Sequence, residues 1–161
     1  MNHEIQTMLS ASEGRYPTRA EQAILRDWAT RLEDRLAAVE AIRAAEQTIV
    51  GQAVDEVLLT YPNVEKHYKA VRTSCIRDLS LVLRYAAQAM LRGEPKYLDD
   101  SLLTWMATIL RGVGLAPQFI EDTYRALGRV TARELSPSVA ELLRPYIERC
   151  VAVLPGRPET P

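Results

Sequence analysis

The chain has 161 residues with 20 basic and 21 acidic side chains, a net charge of -1, 47% hydrophobic residues, 6% aromatics, two cysteines and two histidines. That balance gives no broad positive field for nucleic acid or an anionic membrane surface, and Cys75, Cys150, His3 and His67 lie too far apart in sequence to suggest a disulfide framework or a zinc site. One domain in a reducing compartment is expected, with no signal-peptide pattern and no stretch of about 18 uninterrupted apolar residues that could enter a membrane directly.

Alanine, leucine, arginine and glutamate dominate and no hairpin turn signal occurs, so the fold class expected is all-α. Ile5, Met8 and Leu9 predict a short amphipathic arm, stopped by Gly14 with Pro17 beyond. Thr18 and Glu21 form a capping box that opens a long helix. Ile24, Leu25, Trp28, Leu32, Leu36, Val39 and Ile42 recur at helical spacing, and the pattern runs to Tyr61-Pro62, with a bend expected at Gly51. A second long helix is expected from about residue 65 to Leu91, with an apolar seam of Ile76, Leu79, Leu83, Ala86, Ala87 and Met90, closed by Gly93 and Pro95. Three shorter helices follow, near Asp99 to Val113, Pro117 to Arg133 and Pro137 to Val153, the last with Ser136 as its N-cap. The domain is expected to span 1–154, with 155–161 a disordered proline-rich tail.

No phosphate-cradling glycine loop, nucleophile elbow or His-Glu-x-x-His pattern is present, which argues against an enzyme. The neighbours Asp99-Asp100 and Glu121-Asp122 read as first-turn charges that complement a helix dipole. His67, flanked by Lys66 and Lys69, reads as a solvated residue rather than a haem ligand. The segment that stands out is Arg72 to Asp78, where Arg72, Cys75 and Asp78 are spaced by three and share a stripe. Nearby arginines favour a thiolate at Cys75, whereas an apolar setting raises its pKa; the plain alternative is a small hydrophobe at a core edge. Cys150, among Ile147, Val151 and Leu154, reads as core.

Three blocks, taken in order, resemble the phycobiliprotein family. EGRYPTRAEQAILRDWATRLEDRLAAVEAIRAAEQTIVGQA is similar to the family's opening, with Arg15 and Tyr16 at family positions. CIRDLSLVLRYAAQAMLRGEPKYLDD resembles the chromophore segment, Cys-x-Arg-Asp-x-x-x-x-Leu-Arg-Tyr. GLAPQFIEDTYRALGRVTAREL is similar to the family's later helices. The resemblance is strongest to the allophycocyanin branch, with an α-type subunit expected. It implies a globin-like helical domain with an N-terminal helical extension, about residues 1–15, that pairs subunits.

It further implies a linear tetrapyrrole, phycocyanobilin, linked to Cys75 through a thioether or held noncovalently. Asp78 would accept hydrogen bonds from pyrrole N–H groups and Arg77 would pair with a propionate; Arg72 and Lys69 are additional candidates for the second propionate. At the partner interface the resemblance points to Arg84, Glu13 and Tyr16, and the hydrophobic faces of the first two helices, around Ile5, Leu9, Ile24 and Trp28, are expected to add to the contact surface. The partner would be a β-type allophycocyanin-like subunit, in rings or stacks with a linker protein, peripheral on the cytoplasmic side of the thylakoid membrane. Three departures stand beside the matches. The chain is shorter between Val64 and Cys75; Ser80, Leu81 and Val82 replace an Asp-Tyr-Tyr run; and Ala11 occupies an expected acidic position, with Glu13 the nearest substitute. They point to a specialised paralogue, and to a chromophore-less interaction module as the alternative reading.

Overall fold

The computed structural model describes residues 3–156 and is all-α, with no strand among the described residues. The expected fold class is therefore the one observed. Helix α1 (His3–Ala11) seats Ile5 at 1% exposure, so the expected arm is anchored on its own chain rather than free. Gly14 then takes φ +80, which a residue without Cβ adopts at little cost. The Thr18 cap forms as expected: its hydroxyl accepts from the Glu21 N–H and the Glu21 carboxylate accepts from the Thr18 N–H, opening α2 (Arg19–Thr30).

The long first helix is broken, but not at Gly51. The corner falls at Arg31, between α2 and α3 (Leu32–Thr60), and Gly51 lies within unbroken helix. Arg31 keeps helical dihedrals, so no glycine or proline marks the turn. Contacts distant in sequence accompany it: the Trp28 indole N–H donates to the Arg92 carbonyl at 3.4 Å, and the Arg35 guanidinium lies over Gly93. The α3 helix ends at Tyr61 before Pro62, as expected.

The second long helix starts later than its charge pattern suggests. A single turn, α4 (Val64–His67), is followed by Tyr68 and Ala70 outside the helical region, and α5 runs over Val71–Arg92. The EKHYK stretch carries no apolar seam, so nothing draws it against the core. The seam within α5 is also rotated: Val71, Cys75, Leu79, Val82, Leu83, Ala86 and Met90 are buried, while Ile76 is 41% exposed. Cys75 is four residues from both Val71 and Leu79, which puts it on the core row; Ile76 is one residue off that row. Gly93, at φ +66, closes the helix as expected.

After the single turn α6 (Pro95–Leu98), a wide π-type turn over Asp99–Leu103 leads into α7 (Thr104–Val113), and α8 (Pro117–Glu134) and α9 (Pro137–Val153) complete the domain. Ser136 occupies the N-cap position of α9 in extended backbone, but its side chain makes no cap hydrogen bond. Two of the carboxylates expected to serve helix dipoles also cross-link elements: Asp99 accepts from Arg149 at 2.9 and 3.1 Å, and Asp122 accepts from the Tyr61 hydroxyl. Helices α3, α5, α8 and α9 pack on one another around the core, leaving α7 to close one side of a cleft against α5 and α8. Pro155 is buried and Gly156 rests against the Arg111 side chain, so packed chain extends two residues past the expected boundary at 154. The rest of the expected tail, and residues 1 and 2 of the expected pairing helix, lie outside the described residues.

Candidate functional site

The cleft between α5, α7 and α8 has a volume of about 290 Å³ and predominantly apolar walls, including Leu79, Leu110, Phe119 and Ile120. Its polar groups are few: Cys75 and Asp78 from α5, Lys69 from the loop before it, and Thr123 and Tyr124 from α8 among them. Cys75 and Asp78 are three residues apart on α5, so both meet the cleft while the core row continues beneath them.

Cys75 is 8% exposed, and burial pushes its thiol up to about 11, with the Asp78 charge adding to the effect and Arg72 opposing it. Between the two expectations for this thiol, the apolar setting outweighs the arginine. Asp78 is half-buried and accepts from the exposed Arg77 Nε at 2.9 Å. The hydrogen bond to Asp78 in turn raises the Arg77 pKa. Lys69 has no ion-pair partner among the described residues, which leaves its charge available at the cleft wall.

Arg72 is placed elsewhere. It donates to Asp55 on α3 at 2.7 Å and to Glu65 on α4 at 3.4 Å, and it does not line the cleft. Arg77 is likewise outside the lining, reaching the site only through Asp78. His67 is exposed, with Nδ1 bonded to the Asn63 carbonyl at 2.8 Å, and also lies outside the lining. Cys150 is fully buried, its S–H donating to the Tyr146 carbonyl at 3.2 Å, in accord with its reading as core.

The residues expected at a partner interface lie outside the cleft lining. Tyr16 is 95% exposed and Glu13 is exposed, while Trp28 is half-buried and tied to the Arg92 carbonyl. Arg84 pairs with Glu46 of its own chain at 2.6 Å. No residue of α2 is buried, and Ile24 on α2 and Leu36 on α3 are left exposed.

Sequence reasoning missed the contribution of α8. Phe119 and Tyr124 bring aromatic surface to the cleft, which lies beside the α5 segment where Ser80, Leu81 and Val82 bring none. The available signal was the four-residue spacing of Phe119 to Thr123 and of Ile120 to Tyr124, which puts all four on one side of α8. A larger groove, about 670 Å³, runs between α8 and α9, but its arginines are already engaged: Arg125 with Glu121, Arg144 with Glu141 and Glu148, and Arg129 with Glu56. It carries no thiol, so the smaller cleft is the better candidate for ligand chemistry.

An apolar slot with a thiol, a carboxylate, a free ammonium and a phenol offers partners for the N–H donors and carboxylates of a conjugated ligand. The family model for phycobilisome proteins matches residues 9–154. The allophycocyanin beta chain of Mastigocladus laminosus is 29% identical over 154 residues, covering 92% of this chain and 96% of that one. The allophycocyanin beta chain of Thermosynechococcus vestitus (strain NIES-2133 / IAM M-273 / BP-1) is 31% identical over 138 residues, covering 82% and 86%. Both relatives are β chains and give no support to the α-type expectation. With the match running from α1 to the end of α9, the chain belongs to the phycobilisome protein family.

Proposed function

We propose that the chain is a bilin-binding, light-harvesting subunit of an allophycocyanin-like antenna assembly, a pigment carrier rather than an enzyme, with its ligand in the α5, α7 and α8 cleft. The observation that carries this reading is the joint presentation of Cys75 and Asp78 to one apolar cleft in a chain of this family. When bound, a linear tetrapyrrole such as phycocyanobilin supplies visible absorption through its conjugated system. Asp78 would accept from the pyrrole N–H groups, held in place by Arg77. Lys69, not Arg72, is the cation available for a propionate. Cys75 is the candidate for thioether attachment; its largely protonated thiol makes unaided addition slow, so noncovalent residence would precede bonding.

Tyr16, Ile24 and Leu36, with Glu13 and Arg84 nearby in role, form the proposed contact surface for a complementary subunit, and higher rings or stacks would follow from it. No described helix is long and apolar enough to cross a membrane, and peripheral attachment at the thylakoid through the assembly is the location proposed. A chromophore-less interaction module is the second reading, and the cleft volume favours it: about 290 Å³ lies at the lower edge of the roughly 300–1,000 Å³ usual for small-molecule sites.

Purification from a host that makes phycocyanobilin decides between them. The visible spectrum is recorded before and after denaturation for the unmodified chain, Cys75→Ala and Asp78→Asn. Colour that survives denaturation only while Cys75 is present establishes the thioether. Colour lost on denaturing every version means noncovalent binding, and a colourless protein overturns the bilin reading.

A further inference from the structure

We infer that Tyr124 is a further ligand-contacting residue of the cleft, its phenol donating a hydrogen bond to an oxygen acceptor of the molecule that Asp78 and Cys75 hold. The inference rests on the bilin reading and extends it to a residue outside the resemblance. Tyr124 is the most buried tyrosine of the described chain, at 2% exposure, and lines the cleft together with Cys75 and Asp78. Its hydroxyl makes no hydrogen bond among the described residues, yet the oxygen is not sealed from solvent. Two neighbouring hydroxyls are satisfied: Thr123 donates to the Phe119 carbonyl at 2.7 Å, and the Tyr61 hydroxyl donates to Asp122.

A phenol that reaches solvent only through an apolar cleft gains from a fixed acceptor, and buried tyrosines ordinarily find one. Asp78 lines the same cleft and accepts from the Arg77 Nε, but no hydrogen bond joins it to Tyr124 among the described residues. The cleft therefore presents a carboxylate acceptor and a phenol donor that are not bonded to each other. A ligand with N–H donors for one and a carbonyl or carboxylate oxygen for the other satisfies both, and a linear tetrapyrrole has this pattern. Burial first, then the proximity of Cys150, Asp78 and Cys75, raises the Tyr124 pKa well above its ordinary value, so the group stays an O–H donor.

The test titrates free phycocyanobilin into Cys75→Ala, which blocks covalent capture, and into Cys75→Ala with Tyr124→Phe, which removes only one oxygen. Loss of a single neutral hydrogen bond weakens binding by about 5- to 10-fold and displaces the absorption maximum, while melting temperature and helical circular dichroism stay near the parent. Equal dissociation constants and coincident spectra overturn the role of Tyr124 alone. Failure of both the unmodified chain and Cys75→Ala to bind phycocyanobilin overturns the bilin reading and this inference with it. Should the double variant not fold, the tyrosine 13Cζ resonance of Tyr124 in Cys75→Ala is followed on adding phycocyanobilin: a shift supports the hydrogen bond, and an unmoved resonance refutes it.

Discussion

Arg84 on α5 donates through Nε and Nη2 to the Glu46 carboxylate on α3, at a closest distance of 2.6 Å, with Glu46 largely buried and Arg84 largely exposed. An arginine expected to meet a partner subunit is thus braced by its own chain, with most of its guanidinium still facing outward. The pair gives a clean separation of roles. Glu46→Gln keeps the cation and removes the brace, whereas Arg84→Ala removes the cation itself. If Arg84 is an interface residue, Arg84→Ala weakens association with a β-type subunit by about tenfold and Glu46→Gln leaves it nearly unchanged. Sedimentation velocity of mixed subunits reads this; equal losses in both variants would confine the pair to intrachain bracing.

The thiol of Cys75 offers a second measurement. Its pKa rises from an ordinary 9.0 up to about 11 through burial, which cuts the thiolate fraction at neutral pH about hundredfold. Alkylation of Cys75 by iodoacetamide at pH 7.5 should therefore be about hundredfold slower than that of a free cysteine and should climb steadily toward pH 11. Cys150, buried and pushed up to about 12, stays unmodified in the native chain. The same shift has a consequence for stability. Below pH 9 both folded and unfolded chains keep the Cys75 proton, and from pH 9 to 11 the unfolded chain releases it first, so stability falls across that window. Rapid alkylation at neutral pH would contradict the buried setting.

Two glycines predict opposite signs. Gly93 sits at φ +66, and a Cβ there would lie 2.9 Å from the Arg35 guanidinium, so Gly93→Ala should destabilise the domain by about 1–2 kcal/mol. Gly51 lies inside α3 with nothing within 4 Å of the position its Cβ would take. Gly51→Ala should stabilise by about 0.5–1 kcal/mol, since alanine loses less backbone freedom on entering a helix. Urea unfolding of both variants tests the pair, and a destabilising Gly51→Ala would mean that the helix needs a bend there after all.

The α2 cap should act locally. Thr18→Ala removes the acceptor for the Glu21 N–H, a loss of about 1 kcal/mol to the helix. Because α2 buries no residue, that loss should appear as faster amide exchange over residues 19–30 and leave the melting temperature of the domain almost unmoved. Hydrogen bonding from Arg15, then from Thr18, brings the Glu21 pKa down from 4.5 to about 2. Its contribution is therefore complete above pH 4.5 and disappears as the pH falls through about 2. Exchange measured at pH 7, 4 and 2.5 should show α2 protected until the last condition. Loss of protection already at pH 4 would place the Glu21 pKa near its ordinary value.

Helix identity, the caps at Thr18 and Gly93, the stop at Pro62 and the family blocks were legible in the sequence, because each depends on residues within a few positions of one another. So were Cys75 and Asp78 as a pair, since a spacing of three on a helix puts both on one side. The corner at Arg31, the late start of α5 at Val71 and the exposure of Ile76 were not. Each is decided by which neighbouring helix supplies the burial, and periodicity alone does not say where that neighbour lies. The same holds for charge. Arg72 and Lys69 look equivalent upstream of Cys75, yet Asp55 on α3 captures Arg72 and leaves Lys69 free at the cleft. Local sequence thus determined the helices and the pairing of Cys75 with Asp78 on one side of α5. Only tertiary packing decided that Lys69 and the α8 aromatics Phe119 and Tyr124 share the cleft with that pair, because they arrive from chain segments outside α5.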